Sequence, residues 1–288
     1  MAETKYGRLL KKLKYEETNG EYMTMPVGAD LEGLELSFAW GYRRQTGIWG
    51  GDGGIMHTHP YGECLIFSSL DYNNRNELGA EIEVDVGETA KKHVFDTPRI
   101  IIAPPGLPHG PVVTRKADKP FGFLAISLKG EHDTKQVSSS EQSGEKYPKL
   151  VQELNMRDIN RIKGGNADYI SGWNGKDFED FDLNFTWAFH EGTGLWHERD
   201  PHVHPNDEAL LFVGLDPDNP DYLGAEIEIA MGKELEKHVF DTPTVVIAPR
   251  GLVHCPLNTR KVEKPYAFSA ICLNIQHTTT WLGEAKTE

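Results

Sequence analysis

The side chains best placed to do chemistry in this chain are imidazoles and carboxylates that recur at one spacing. The pattern H-x-H-P-x-x-E occurs twice, 145 positions apart, and supplies two sets of residues: His57, His59 and Glu63, then His202, His204 and Glu208. A further histidine in a Pro-Gly turn, His109 or His254, follows 46 residues after each glutamate. Three imidazoles and one carboxylate suit a borderline divalent metal, so the spacing predicts one metal site in each copy.

Local backbone geometry supports this prediction. Residues two apart in a strand point to the same side, so His57 and His59 would project together, and the bend that follows can return Glu63 to the same point. His109 would complete the set. Iron, manganese, nickel, copper, cobalt and zinc all suit such a donor set, at up to two ions per chain. Because protein ligands would leave coordination positions open, we expect catalysis, with Glu63 and Glu208 acting as bases.

An internal duplication organises the elements that must position these residues. Residues 57–128 align with residues 202–273 without a gap, and 39 of these 72 pairs are identical. Between the motifs, apolar and polar residues alternate over short segments such as 78–84, which indicates strands with one buried face. Helical periodicity is nearly absent, and two short helices are expected, over residues 6–15 and 147–155. The sequence therefore predicts an all-β protein that uses one unit twice.

Domain boundaries follow from the repeat and from composition. Residues 131–149 are polar and serine-rich, without apolar spacing that could bury a face, which is typical of a linker. We expect five consecutive parts: an N-terminal extension (1–30), a first domain (31–130), a linker and connecting segment (131–175), a second domain (176–275) and a C-terminal tail (276–288).

The motifs H-x-H-x-x-x-E and P-x-G-x-x-H, set on short strands, resemble the two signature motifs of the cupin superfamily, and their duplication resembles that of a bicupin. The resemblance covers about residues 31–130 and 176–274. It implies two tandem jelly-roll β-barrels related by internal duplication. It also implies that the metal ligands are the residues of the two motifs: His57, His59, Glu63 and His109 in one copy, His202, His204, Glu208 and His254 in the other. Cupins include dioxygenases, isomerases, decarboxylases and non-enzymatic binders, so the resemblance leaves the reaction open.

Three classes of function are compatible with such sites. The leading hypothesis is a mononuclear non-haem iron dioxygenase-type oxidoreductase that acts on a small oxygenated organic molecule. An isomerase or a lyase such as a decarboxylase, with the metal as Lewis acid, would need the same ligands and no dioxygen. A non-catalytic protein that binds a metal or a small molecule is the third alternative. Product formation under strict anaerobiosis separates the first two.

Composition narrows the partners and the compartment. The net charge of -14 at pH 7 disfavours nucleic acid and anionic membranes, whose binding depends on clustered lysine and arginine. No apolar run reaches the length of a signal sequence or a membrane span, and the three cysteines form no paired framework. We therefore expect a cytoplasmic protein with a small-molecule substrate. Its sheet edges are candidate surfaces for homo-oligomers.

Two further features of the repeat have a structural interpretation. The hexapeptide His-Val-Phe-Asp-Thr-Pro begins at His93 and again at His238. We expect its Asp-Thr-Pro part to form a turn before the next strand, and its histidine to play a supporting or interface role instead of binding metal directly. Cys64 and Cys255 adjoin predicted ligands but would point away from the metal, so we expect both to be buried small residues.

Overall fold

The computed structural model describes residues 4–138, 149–158, 167–178, 181–197 and 201–283. Strands dominate, and the helical residues lie in four short 3-10 turns: Gly7–Leu9, Gly51–Gly54, Tyr72–Asn74 and Gly175–Asp177. The chain divides into two compact units, which we call the first barrel (described residues of 15–29 and 33–155) and the second barrel (described residues of 1–14, 30–32 and 156–288). Over the described ranges, no helix is long and apolar enough to cross a membrane.

The first barrel consists of two antiparallel sheets. Strands are numbered along the chain, and β1 (Leu10–Lys12) belongs to the second barrel. The first barrel contains β2 (Glu16–Thr18), β3 (Glu21–Thr24), β4 (Ser37–Arg43), β5 (Gly47–Ile48), β6 (His57–Thr58), β7 (Glu63–Ser68), β8 (Ala80–Val86), β9 (Lys91–Phe95), β10 (Arg99–Ala103), β11 (His109–Ala117), β12 (Phe121–Ser127), β13 (Lys135–Gln136) and β14 (Val151–Glu153). The sheet orders are β14-β10-β7-β12-β4-β3-β2 and β13-β6-β11-β8-β9, with β5 also paired to β11.

The second barrel repeats this arrangement. Its remaining strands are β15 (Arg157–Asp158), β16 (Tyr169–Asn174), β17 (Asn184–His190), β18 (Gly194–Leu195), β19 (His202–Val203), β20 (Glu208–Gly214), β21 (Ala225–Met231), β22 (Glu236–Phe240), β23 (Thr244–Ala248), β24 (His254–Val262), β25 (Tyr266–Cys272) and β26 (Thr280–Trp281). The sheet orders are β1-β23-β20-β25-β17-β16-β15 and β22-β21-β24-β19-β26, with β18 also paired to β24. The predicted all-β fold of two tandem jelly-roll barrels is confirmed.

Residue alternation decides which face of each strand is buried. In β8 the alternate residues Ala80, Ile82, Val84 and Val86 are buried, and the acidic residues between them are partly exposed. The equivalent strand β21 shows the same alternation over most of its length. By contrast, β7 and β20 are buried along their whole length. Each of these two strands lies between two neighbours in its sheet, and each begins with a predicted ligand.

The short helices expected over residues 6–15 and 147–155 are wrong: the described residues of the second segment include the strand β14. After the 3-10 turn the chain forms β1, which pairs antiparallel with β23 at the edge of the second barrel and buries Leu9 and Leu13. A helix of this length is marginal by itself, whereas a sheet edge satisfies the backbone hydrogen bonds of the same residues. In the first barrel β14 pairs with β10 in the equivalent position.

The repeated hexapeptide has the turn that the sequence predicts. Residues 96–98 connect β9 to β10, and residues 241–243 connect β22 to β23. His93 and His238 lie in the strands that precede these turns, and the Nε2 atom of His238 is 2.8 Å from Oε1 of Glu236. Cys64, Cys255 and Cys272 are all buried and all free thiols.

Candidate metal centres

The four predicted ligands of the first barrel converge. The sheet containing β6 and β11 supplies His57 and His109, which lie opposite each other in the β6–β11 ladder. The other sheet supplies Glu63, the first residue of β7, and His59 lies on the connection between β6 and β7. All four side chains are buried, and their ligand atoms lie within 4.8 Å of one another.

Backbone carbonyls orient the three imidazoles. Nδ1 of His57 lies 2.9 Å from the carbonyl oxygen of Ile55. Nδ1 of His59 lies 2.8 Å from the carbonyl oxygen of Asp133, and Nδ1 of His109 lies 3.0 Å from that of Leu107. Because a carbonyl only accepts, each Nδ1 must carry a proton, which leaves Nε2 as the ring nitrogen that can bind a metal. Carbonyl partners of this kind fix the tautomer of metal-binding histidines. The three rings are therefore prepared to bind a cation through Nε2.

The carboxylate of Glu63 completes the first group. Its Oε2 is 3.0 Å from Nε2 of His109 and 3.4 Å from Nε2 of His59, and its Oε1 accepts a hydrogen bond from the Ser127 hydroxyl over 2.9 Å. Burial by itself would raise the pKa of Glu63, but the two imidazoles outweigh it and hold that pKa well below its usual range. Burial, with the neighbouring His109, lowers the pKa of His57 to about 4. A neutral imidazole beside an ionised carboxylate is the donor state that a metal requires.

The predicted ligands of the second barrel form a related arrangement. In each of two groups, the ligand atoms lie within 4.8 Å of one another. The groups are His202, His204 and His254, and His204, Glu208 and His277, so they share His204. Nδ1 of His204 is 2.9 Å from the Thr278 carbonyl, and Nδ1 of His254 is 3.0 Å from the Leu252 carbonyl. Oε2 of Glu208 lies 3.2 Å from Nε2 of His254 and 3.5 Å from Nε2 of His204. Donor type and orientation at both sites fit a divalent transition metal, at up to two ions per chain.

Two histidines outside the motifs, His132 and His277, also adjoin the sites, and the sequence motifs do not predict them. The ring of His277 is 4.5 Å from that of His204, and its Nε2 is 3.7 Å from Oε1 of Glu208. The ring of His132 is 5.2 Å from that of His59. The two positions are separated by the same 145 residues that separate the motifs, and this spacing is the signal that could have found them.

A polar network surrounds His132 in the first barrel. Its Nε2 lies 2.7 Å from Oδ2 of Asp52, and its Nδ1 lies 3.3 Å from the hydroxyl of Tyr61. The Thr134 hydroxyl donates to the same Asp52 oxygen over 2.8 Å. The Tyr61 ring stacks on His59, with centroids 5.0 Å apart and an interplanar angle of 11°. The second barrel has Asn206 at the position of Tyr61, so this stacked ring belongs to the first site.

The second site adjoins a cavity of about 310 Å³ inside the second barrel. Glu208 and the four histidines of the two ligand groups form one part of its wall. Aliphatic and aromatic side chains form most of the rest. The ligand atoms are therefore accessible to a small molecule that occupies this space.

Two β-barrels in tandem, each with the histidine and glutamate residues of the motifs gathered inside it, define a bicupin fold. No family model matches the chain, and no curated protein matches it. Solved structures of oxalate decarboxylase from Bacillus subtilis do match. A structure of a point mutant is 12% identical, with a TM-score of 0.66 over 95% of this chain and 79% of that one. The structure at pH 4.6 is 11% identical, with a TM-score of 0.65 over 95% and 78%.

A third match comes from work on the Mn(II) centres of the same enzyme. It is 12% identical, with a TM-score of 0.66 over 95% of this chain and 79% of that one. At this level of identity the likeness shows a shared fold. It agrees with the bicupin architecture that the sequence predicts.

Proposed function

We propose that this chain is a metal-dependent lyase that removes CO2 from a small carboxylic acid. The observation that carries the proposal is the convergence of buried imidazoles and a carboxylate on one point, within a fold shared with a decarboxylase. The iron dioxygenase that the sequence favours first is not confirmed, and the matching structures described above belong to a decarboxylase. The lyase alternative agrees better with them.

We propose that manganese(II) or iron(II) is held by the residues of the two motifs. The fit rests on carbonyl-oriented rings whose Nε2 atoms face the carboxylate, those of His59 and His109 in the first barrel and of His204 and His254 in the second. When bound, such a metal supplies Lewis-acid chemistry, because it attracts the oxygens of the substrate and the negative charge that develops near them. Of these two metals we favour manganese, because Mn(II) centres are named for the matching decarboxylase.

Decarboxylation breaks the bond between the carboxylate carbon and the next carbon. The electron pair stays on that next carbon, CO2 leaves, and a proton takes its place. No oxidant is consumed, so the protein must hold the acid, exclude competing water and deliver one proton. We assign these tasks to the second barrel, where the cavity adjoins the ligand group.

Glu208 and His277 are placed to deliver the proton. Oε2 of Glu208 faces His254 and His204, which leaves Oε1 directed toward Nε2 of His277 at 3.7 Å. The His277 side chain is 41% exposed, and the ring lines the cavity, so it joins solvent to the buried carboxylate. A proton can pass from solvent to Nε2 of His277, then to Oε1 of Glu208, and on to the substrate carbon.

The direct test uses the full chain loaded with Mn²⁺. It is incubated with oxalate and with small 2-oxo acids, and CO2, the second product and dissolved oxygen are measured together. The proposal expects one CO2 for each acid consumed and no net oxygen uptake. Oxygen consumed in proportion to the acid, with an oxygenated product, would establish the dioxygenase. Tight binding of an acid without product would establish the non-catalytic alternative.

A variant of the assigned proton path sharpens the test. His277→Gln is expected to lower kcat by roughly 10²-fold or more while KM stays near its original value, since general acid–base groups contribute about that much. The matched control is His132→Gln, the equivalent change in the first barrel. Metal content is measured for both variants, because loss of metal from His277→Gln would assign the residue to the ligands and not to the proton path.

A further inference from the structure

The walls of the second-barrel cavity are chiefly apolar. Its aliphatic and aromatic lining includes Ile170, Ala188, Leu210, Leu257, Phe268 and Ala270. The Trp196 ring adds a flat surface, held edge-on to Phe268 with centroids 4.8 Å apart. One end of the cavity therefore offers metal-ligand atoms, and the remainder is an apolar surface. Contact between this surface and the apolar groups of a ligand is favourable, because it removes both from water.

The described residues of this wall carry few charged side chains. Among the described residues that line the cavity, the ionisable ones are Glu208, Cys255 and histidines, and neither lysine nor arginine is present. A dianion brings a second negative charge into the cavity, and the described residues of the wall offer no lysine or arginine to pair with it. Removing that charge from water without a partner is costly. The wall therefore disfavours a second carboxylate on the substrate.

The two barrels differ at the residue opposite the first ligand. In the β19–β26 ladder Trp281 lies opposite His202, and in the β6–β13 ladder Gln136 lies opposite His57. The Trp281 ring is 4.8 Å from the His202 ring and 39% exposed, so it stands between the cavity and solvent. The second barrel thus has a large apolar ring where the first has an amide.

The size of the cavity points to a substrate larger than oxalate. Its volume of about 310 Å³ equals that of roughly ten water molecules, at about 30 Å³ each in the liquid. Oxalate would leave much of this space unfilled. An acid with a phenyl ring or a branched chain would fill it and cover the aliphatic wall.

From these observations we infer that the second site takes a monocarboxylate with an apolar body, such as an aromatic 2-oxo acid, and discriminates against oxalate. The inference rests on the proposed function for its metal-bound head group. The apolar body is assigned by the apolar wall, by the lack of lysine and arginine among its described residues, and by Trp281. The carboxylate and its neighbouring oxygen would face the ligand atoms, while the ring packs against Phe268 and Trp196.

Benzoylformate and oxalate make a matched pair of probes. Each offers two oxygens on adjacent carbons to a metal, and they differ in carrying a phenyl ring or a second carboxylate. Binding to the Mn²⁺-loaded full chain is measured by titration calorimetry, without reliance on turnover. Benzoylformate is expected to bind at least tenfold more tightly than oxalate, with a negative heat-capacity change, which marks burial of apolar surface.

Two variants locate the binding in the second barrel. Ala188→Leu fills the buried cavity, and Trp281→Gln installs at the mouth the residue that the first barrel has. Each is expected to weaken benzoylformate binding at least tenfold while metal content stays unchanged. The control is Leu282→Gln, beside Trp281 and 54% exposed, which is expected to bind as the original chain does. Because Trp281 is partly exposed, its variant remains informative if Ala188→Leu does not fold.

The results separate this inference from the proposed lyase. If oxalate binds as tightly as benzoylformate, or if Trp281→Gln binds benzoylformate unchanged, the inference is overturned even if oxalate is decarboxylated. If benzoylformate shows the expected preference but no acid loses CO2, the inference stands and the lyase fails.

Discussion

The indole nitrogen of Trp49 donates a hydrogen bond to Oγ1 of Thr114 over 2.9 Å, and both residues are buried. Trp49 also donates its backbone N–H to the carbonyl of Val112 over 3.0 Å. These bonds tie the segment that leads to the H-x-H motif to β11, the strand that begins with His109. The duplication reproduces the side-chain bond in Trp196 and Thr259, again at 2.9 Å. One anchor in each barrel thus connects the chain before the first ligand to the strand of the last.

Loss of this hydroxyl should destabilise each barrel. Thr114→Val leaves a buried indole N–H without its partner, so we expect the free energy of unfolding to fall by roughly 1–3 kcal/mol. Thr259→Val should cost more, because Thr259 also bonds the Tyr266 hydroxyl over 2.7 Å. Urea unfolding measures both. The serine variants keep the hydroxyl and should lose less, and equal losses for serine and valine would assign the effect to packing instead.

Metal content gives a second prediction. The protein purified without chelators should contain up to two equivalents of a divalent transition metal. His57→Ala should lose the first-barrel ion and His202→Ala the other, because each removes one imidazole ligand from a buried group. Elemental analysis gives both numbers. His238→Ala is the control, since His238 lies in β22 beside Glu236, and it should keep the full content. Full content in His57→Ala would remove that residue from the ligands.

Much of the fold and the motif residues could be predicted because the information is local. Ligand types recur at fixed spacing, and strand alternation shows directly which residues face inward. The positions of His132 and His277, by contrast, depend on pairing between segments that are distant in the sequence. Both follow the aligned part of the repeat, in a polar segment predicted as a linker and in one predicted as a tail. They reach the sites only because β13 and β26 pair with the strands of the first ligands.

Pairing between distant segments also explains the N-terminal error. Residues 10–12 carry charged and apolar side chains that do not distinguish a helix from an edge strand. Their conformation is determined by β23, which lies more than two hundred residues away in the sequence. Residues 10–12 pair with its open edge and satisfy their backbone hydrogen bonds there. Propensity over a short segment cannot contain that information, since tertiary context overrides it.

Stability of the metal-free protein should depend on pH through His57. Its pKa falls from 6.5 to about 4 on folding, chiefly through burial, so the unfolded chain binds more protons between these values. Stability therefore decreases as the pH drops from 6.5 toward 4. Burial by itself would raise the pKa of Glu63, but the imidazoles outweigh it and hold that pKa below 4.5. Protonation of Glu63 therefore lowers stability further below pH 4.5. The pKa of His59 is raised, because its bond to Glu63 outweighs burial, and this opposes the trend by adding stability at low pH.

The contribution of His57 is isolated by substitution. Urea unfolding of the chelated protein at pH 7, 6 and 5 gives the slope, and His57→Gln, which cannot titrate, should show a smaller decrease toward pH 5. The difference has an upper limit of ~3 kcal/mol at pH values below 4 and is smaller at pH 5. Identical slopes in the two proteins would show that the imidazole is as easily protonated in the barrel as in the unfolded chain.

Buried thiols give the last prediction. Burial raises the pKa of Cys272 to about 12, with the nearby Glu208 adding to the shift, and burial raises the pKa of Cys64 well above its ordinary value. At pH 8 both should therefore be protonated and out of reach of solvent, and thiolate is the form that alkylates. We expect iodoacetamide to leave both unmodified in the folded protein and to modify both in concentrated urea, as measured by peptide mass spectrometry. Val94→Cys provides an exposed thiol, since Val94 is 45% exposed, and should react readily. Labelling of Cys64 at the rate of that control would show that β7, with Glu63 at its start, opens to solvent.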